Sequence, residues 1–155
     1  MIRIGTGYDV HRLVPERRLV LCGVEIPSDL GLLGHSDADV AVHALMDAIL
    51  GALAMGDIGK LFPDSDPQYK GADSMKLLAE VIRRMEGAGF RLGNLDLTII
   101  AERPKLAKHI PAMRESLAAA FSCDISQVSV KATTEEGLGL AGAGIGSQAV
   151  VLLEK

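Results

Sequence analysis

The sequence predicts an α+β fold: a single two-layer domain in which a mixed β-sheet carries helices packed on one face. Three observations point to it. Segments with the alternation of strands gather at both ends of the chain, around residues 2–8 and 148–153, and segments with helical spacing fill the middle. The 155 residues suit one domain, 1–155. Hydrophobic residues make up 48% and aromatics only 3%, so the core is aliphatic, built from Leu, Ile, Val and Ala.

Each element follows from a local signal. Residues 2–8 alternate as a strand, and 9–11 extend it. Residues 18–22 and 24–26 form a second strand or hairpin, ended by Pro27. Residues 28–36 read as loop, punctuated by Gly31 and Gly34. A helix is expected over 38–55, with Ser36 or Asp37 as N-cap and a stripe of Ala41, Leu45, Ala48, Ile49, Ala52 and Leu53. Residues 56–70 are polar and turn-rich. A second helix over 73–85 stops near Gly87 and Gly89, and 95–101 is a strand. A third helix covers 107–121, with Pro111 near its first turn, where proline is tolerated. Residues 128–133 form a strand, and a glycine-rich bend leads to the last strand, 148–153. The expected order is β-β-α-α-β-α-β-β.

Charge and composition exclude several functions. The net charge is −4, with no basic stripe interleaved with aromatics, so no nucleic-acid partner is expected. Arg83-Arg84 reads as a solvated helix face. No apolar stretch reaches the roughly 18 to 20 residues of a membrane span, so no membrane role is expected. The most apolar segment, 40–55, carries His43 and Asp47 and reads as a buried helix. Arg3, Asp9, His11 and Arg12 interrupt any secretory signal. Cys22 and Cys123 are too few for a disulfide framework and read as buried or partly buried thiols, which fits a reducing, cytoplasmic setting.

The chemistry concentrates in Asp9-Val10-His11 and in the block from Ser36 to His43. Alternation on a strand points Asp9 and His11 the same way. A lone histidine on an apolar helix is usually a core residue, but beside Asp9-x-His11 a metal ligand is the better reading of His43. One carboxylate and two imidazoles leave a coordination position open, as a catalytic zinc requires. Asp47, four residues on, reads either as the partner of the other His43 nitrogen or as an ordinary helix charge. His35-Ser36 lies just before a helix N-terminus, where N–H groups favour a phosphate, and Ser36 reads as cap, phosphate donor or both. Gly137-Leu138-Gly139-Leu140-Ala141-Gly142 matches a dinucleotide fingerprint letter for letter, but a strand rather than a helix follows it, so the glycines are assigned to a tight turn. The segment Lys131 to Glu136 offers hydroxyls for phosphate and carboxylates for Mg²⁺ or Mn²⁺; from spacing alone a plain polar junction is the preferred reading. Ala101-Glu102-Arg103-Pro104-Lys105 also leaves a strand, as a ligand loop or a common basic loop. His109 is given no role.

These motifs resemble those of the 2-C-methyl-D-erythritol 2,4-cyclodiphosphate synthase family. The resemblance runs end to end. It is carried by Gly7 to His11, by Gly34 to Leu45 with its Ser-Asp-Ala-Asp-Val-x-x-His core, by Gly56 to Asp64, by Thr98 to Ala101 with Pro104-Lys105, and by Val130 to Thr134. It implies a phosphorus–oxygen lyase of the non-mevalonate isoprenoid route that converts 4-diphosphocytidyl-2-C-methyl-D-erythritol 2-phosphate to the 2,4-cyclodiphosphate, releasing CMP. It implies Zn²⁺ on Asp9, His11 and His43, and a second divalent ion, Mg²⁺ or Mn²⁺, on Glu136. His35 and Thr134 match the family's transition-state stabilisers. Asp57, Ile58 and Gly59, with Phe62, Pro63, Asp64, Ser65 and Asp66, match its methylerythritol-binding segments. Ala101, Glu102, Arg103, Pro104, Lys105, Leu106 and Ala107 match its cytidine pocket. Asp9, His11, His35, Ser36, Thr133, Thr134, Glu135, Glu136, Leu140 and Ala143 complete the implied substrate contacts. The implied assembly is a homotrimer with active sites between subunits.

The chain departs from the family pattern at two places. Many members carry Arg where this chain has Ala143, and Ile145 follows shortly, so the channel on the trimer axis is expected to be apolar. Glu135 stands where Thr is common. Rival readings are another metal-dependent phosphohydrolase, a two-His-one-carboxylate iron oxygenase, or a non-catalytic trimeric protein that binds a nucleotide metabolite. Bound metal and product identity separate them.

Overall fold

The computed structural model describes residues 1–155. A long first strand, β1 (Ile2–Pro15), leads to a hairpin, β2 (Leu19–Leu21) and β3 (Val24–Ile26), and to a short strand, β4 (Leu30–Leu32). Helix α1 (Val40–Ala52), one-turn helix α2 (Ile58–Leu61) and helix α3 (Ser74–Gly87) follow. Strand β5 (Arg91–Ile100), helix α4 (Ile110–Phe121), and strands β6 (Val128–Thr133) and β7 (Gly144–Glu154) complete the chain. The main sheet has the order β4-β1-β7-β5-β6, and β2-β3 forms a separate ribbon. The sheet is mixed, because β5 and β6 are parallel while the other pairs are antiparallel.

Register sets the two faces. Gly7, Asp9 and His11 pair with Ala149, Ser147 and Ile145. Ala149 and Ser147 pair in turn with Leu97 and Ile99. This inner face lies under the helices, and Leu97, Ile99, Ile145, Ala149 and Val151 on it are buried. Against it sit Leu45 and Ile49 of α1, both fully buried. Each such side chain contributes about 1.5–3 kcal/mol by leaving water. The outer face carries Ile2, Ile4, Tyr8, Val10 and Val150, all exposed.

Gly5 and Gly7 let α1 lie directly on β1. A Cβ at Gly5 would sit 1.9 Å from the Ala48 carbonyl oxygen, and one at Gly7 would sit 1.9 Å from that of Ala44. The close approach brings the start of α1, with His43, over the next two residues of the same strand face, Asp9 and His11.

Several boundaries differ from the sequence expectation. Residues 30–32 form β4 inside the expected loop, pairing with the end of β1, and three residues are too few to show alternation. Helix α1 starts at Val40, and its N-cap is Asp39, not Ser36 or Asp37. Its last turn ends at Ala52, before Ala54 takes a positive φ. The polar stretch 56–70 contains α2, capped by Asp57, and a 3₁₀ turn, Pro67–Tyr69, capped by Asp66. Strand β5 begins at Arg91, through an irregularity between Leu92 and Asn94. Residues 107–109 are a 3₁₀ turn preceding α4. Strand β7 begins at Gly144, so the glycine bend is shorter than expected.

Candidate metal centre and the flanking cleft

Asp9, His11 and His43 converge at the open end of the α1–β1 contact. Their donor atoms lie within 4.8 Å of one another, a group able to hold a metal ion. Asp9 Oδ2 stands 2.8 Å from His11 Nε2 and 3.1 Å from His43 Nδ1, and the two imidazole nitrogens stand 3.3 Å apart. The far nitrogens are engaged elsewhere. His11 Nδ1 lies 2.7 Å from the Leu33 carbonyl, which can only accept, so Nδ1–H donates and Nε2 carries a lone pair. His43 Nε2 faces the hydroxyls of Ser74 at 3.0 Å and Ser36 at 3.2 Å. With both rings neutral and protonated at their outer nitrogens, Asp9 Oδ2, His11 Nε2 and His43 Nδ1 turn lone pairs into one small space, an arrangement that a cation relieves; without a cation, a proton on an inner nitrogen is shared with Asp9.

Protonation follows the same geometry. Burial pushes the Asp9 carboxyl up, but hydrogen bonds and charge from His11 and His43 outweigh it and hold it at about 2. The hydrogen bond to Asp9 raises His11 above 6.5, with burial opposing. Asp47 does not back His43: its Oδ1 accepts the Ile58 N–H at 2.8 Å and so fastens α2 to α1. Burial raises its pKa against that bond.

The segment between β4 and α1 is pinned from all sides. Asp39, fully buried, accepts N–H groups of Cys22, Gly23 and Val42, tying the β2–β3 turn to the start of α1. Burial pushes its carboxyl up to about 6 against those three donors. Asp37 accepts the Ser74 N–H at 3.0 Å and also its hydroxyl, tying α3 to the same place. Ser36 Oγ accepts the Ala38 N–H at 3.1 Å, a local turn and not the helix cap. Arg17 donates to the carbonyls of Gly34 and Ser36, on either side of His35. The His35 carbonyl accepts the Gly71 N–H. His35 Nε2 is buried and has no protein partner.

A cleft of about 390 Å³ opens over the triad. Asp9, His11, His35, Ser36, His43, Ile58, Gly59, Phe62, Pro63 and Asp64 line it, together with Met46, Tyr69 and Leu77, which sequence reasoning had not singled out. The Phe62 and Tyr69 rings meet edge to face, with centroids 5.3 Å apart. Asp57, Ser65 and Asp66 lie outside the lining; Asp57 and Asp66 spend their carboxylates on capping.

The other expected residues gather elsewhere on the chain. The Ala101 N–H donates to the Thr133 carbonyl, and Glu102 accepts the Gly137 N–H at 2.8 Å. Glu135 accepts the Leu140 N–H at 2.6 Å, and Thr134 Oγ1 accepts the Glu136 N–H at 3.3 Å. Thr133, Thr134 and Glu136 are exposed, as are Arg103, Lys105, Ala107 and Ala143, while Ala101 and Leu106 are buried. Pro104 lines two shallow hollows, one with Arg103 and one with Lys105 and Ala107. In the sheet order, β7 lies between the triad strand β1 and β5, which the 101–107 segment leaves, and β7 and β5 lie between β1 and β6, which the 133–136 segment leaves. The Gly137–Gly142 run is a turn, with Gly137, Gly139 and Gly142 at positive φ. Ile145 is fully buried on the inner face beside His11, so it does not add apolar surface outside, contrary to expectation.

Sequence reasoning also missed the parts played by Arg17, Asp37, Asp39 and Ser74. The two aspartates stand in the motif it used, but no local signal ties Arg17 or Ser74 to a histidine many residues away.

Comparison with known proteins agrees along the whole chain. The model of the YgbB family matches residues 2–154. A 2-C-methyl-D-erythritol 2,4-cyclodiphosphate synthase of Trichlorobacter lovleyi is 62% identical over 154 residues, covering 98% of each chain. One of Syntrophotalea carbinolica is 65% identical, covering 100% of this chain and 96% of the relative. A solved 2C-methyl-D-erythritol-2,4-cyclodiphosphate synthase bound to CDP superposes with a TM-score of 0.92 at 44% identity, over 98% of this chain and 100% of the other.

Proposed function

Because the chain belongs to the YgbB family, we propose that it converts 4-diphosphocytidyl-2-C-methyl-D-erythritol 2-phosphate to 2-C-methyl-D-erythritol 2,4-cyclodiphosphate with release of CMP, the activity named for its relatives. It is a lyase of non-mevalonate isoprenoid precursor synthesis. The observation that carries the reading is the Asp9–His11–His43 group at the edge of a cleft that also holds His35.

The donor set fits a zinc ion. Two imidazoles and one carboxylate, with lone pairs converging and outer nitrogens occupied, match a site that leaves a coordination position open. A bound zinc supplies positive charge that neutralises and orients a diphosphate. A second divalent ion, Mg²⁺ or Mn²⁺, suits Glu136, whose carboxylate is exposed.

The reaction joins the 2-phosphate oxygen to the β-phosphorus and breaks the bond from that phosphorus to the bridging oxygen, which leaves with CMP. The nucleophile is already an anion, so the chain's main contribution is positioning and charge. His35 Nε2, buried without a protein partner, donates to a phosphoryl oxygen. The Ser36 hydroxyl, whose hydrogen no other bond occupies, holds a neighbouring oxygen. Asp57 to Asp66 borders the methylerythritol unit. Ala101 to Ala107 receives the cytidine, and Thr133, Thr134 and Glu135 meet the diphosphate.

The two groups of residues lie on separate parts of one chain, and the outer sheet face leaves Ile2 and Ile4 each 66% exposed. A homotrimer that covers this face and joins the triad of one subunit to the 101–107 and 133–136 segments of the next satisfies both observations. Cys22 and Cys123 are free thiols, in keeping with a cytoplasmic enzyme.

Incubation of the zinc-loaded protein with the cytidylylated substrate and Mg²⁺ tests the reading. CMP and a cyclic diphosphate are expected in equal amounts. A linear phosphate product overturns it in favour of a phosphohydrolase, and no CMP in favour of a binding protein.

A further inference from the structure

The structure assigns a positioning role to Ser74 and Asp37: together they fix the tautomer of His43, and through it the affinity of the triad for zinc. The role rests on the metal-binding reading proposed above. Asp37 Oδ2 accepts the Ser74 N–H at 3.0 Å, and Asp37 Oδ1 accepts the Ser74 hydroxyl. An ionised carboxylate has no hydrogen to give, so the single hydroxyl hydrogen of Ser74 is taken. What Ser74 Oγ turns to His43 Nε2, 3.0 Å away, is a lone pair. Nε2 must then carry the hydrogen. Nδ1 is then left without a hydrogen, 3.3 Å from His11 Nε2 and 3.1 Å from Asp9 Oδ2, the form in which a cation can bind; Asp9 Oδ2, which accepts an Nδ1–H when no cation is present, is the neighbour that the Ser74–Asp37 pair works against. The opposite tautomer would set a lone pair against the Ser74 oxygen and turn Nδ1–H toward the metal position.

Two details isolate the effect to this pair. Ser74 is fully buried at the first residue of α3, but the N-cap of that helix is Asp73, so the Ser74 hydroxyl is not needed as the cap. Ser36 Oγ also lies 3.2 Å from Nε2, yet no bond occupies its hydroxyl hydrogen. Ser36 can donate or accept there, and alone it imposes neither tautomer.

The test uses the full chain. Nitrogen-15 NMR of the metal-free protein reads the His43 tautomer, and chelator competition reads zinc affinity. The unaltered chain is expected to hold His43 as Nε2–H. Ser74→Ala, which leaves only Ser36, and Asp37→Asn, which frees the Ser74 hydroxyl to donate to Nε2, are expected to populate Nδ1–H. Both are expected to weaken zinc by about 10–100-fold, as losses of groups that orient metal ligands do. Asp73→Ala removes the cap from the same helix end without touching the pair, and is expected to lower the unfolding temperature while leaving tautomer and zinc affinity unchanged. If Asp73→Ala weakens zinc as much as Ser74→Ala, the role is merely structural and the inference falls. It falls equally if His43 stays Nε2–H in both Ser74→Ala and Asp37→Asn. An unaltered chain that shows the expected tautomer but binds no zinc overturns the metal reading of the triad, while the NMR of the variants still decides whether Ser74 and Asp37 set the tautomer.

Discussion

The triad on β1 and α1 and the polar group at the ends of β5 and β6 both offer charged and polar side chains, but they are built in opposite ways. Asp9, His11 and His43 are half-buried or buried, and the outer nitrogen of each imidazole meets a named partner. Glu136, Thr133 and Thr134 are exposed, and the nearby bonds of Glu102 and Glu135 run to turn N–H groups. One chain preorganises the first region completely. The second is a surface awaiting something to face it. Where a site must hold a fixed charge, burial and directed hydrogen bonds supply rigidity; where it must admit a large polar ligand, such residues are better left open.

Removing a triad member should produce the largest effect. On the proposed metal reading, His43→Ala deletes one of three donors, and turnover is expected to fall by about 10³-fold or more, since charge neutralisation by a metal is worth several kcal/mol. The fold should survive, as Leu45 and Ile49 anchor α1 independently. Metal analysis and circular dichroism check both halves. Stoichiometric zinc with normal turnover would erase the distinction drawn between the regions.

Breaking the proposed trimer should separate the two regions. Ile4→Asp places a carboxylate on the exposed outer sheet face. The expected outcome is a smaller species in analytical ultracentrifugation, with turnover lower by about 10²-fold because the reacting groups are no longer held together. Zinc content per chain should not change. A fully active monomer would mean that each chain builds its whole site.

Glu136→Gln probes the open region alone. Turnover is expected to drop by about 10²-fold, the cost of losing one charge contact in the transition state, with zinc content unaltered. Zinc loss in this variant would show that the two regions share one ion.

The mildest test is pH. His11 titrates above its usual 6.5 because of Asp9, and Asp9 stays ionised down to about 2. In the metal-free chain, the stabilisation from protonated His11 is fully present below 6.5 and is lost as pH rises through the raised pKa. Zinc needs the same Nε2 lone pair, so its affinity should run the other way, falling about tenfold per unit of pH below that pKa. Chelator titrations between about pH 5 and pH 8 would show it. A flat profile would remove His11 from the ligand set.

Much of this was legible in sequence because it is local. Alternation alone puts Asp9 and His11 on one face, and the bond between them is realised at 2.8 Å. Strand β6 falls at 128–133 as expected: Val128 and Val130 are buried and alternate with Ser129 and Lys131. Helix α3, expected over 73–85 with its end near Gly87 and Gly89, runs Ser74–Gly87, because Asp73 caps it and glycine closes it. The misplaced cap of α1 is instructive. Ser36, Asp37 and Asp39 are all good N-cap residues, and the choice fell to Asp39, the one whose carboxylate also reaches the Cys22 and Gly23 N–H groups of a distant hairpin.

The chain by itself determined the candidate donor types, the shared strand face of Asp9 and His11, and the helix that carries His43. Those are properties of residue type and period, fixed within a few residues. Only the tertiary structure decided which group backs each histidine, and how far the 101–107 and 133–136 segments lie from the triad. Asp47 is spaced correctly to reach His43, but the Ile58 N–H claims it, and Ser74 takes its place from another helix. A polar side chain has several acceptable partners, and the one it keeps is settled by which buried donors and acceptors the packed elements bring within hydrogen-bond reach.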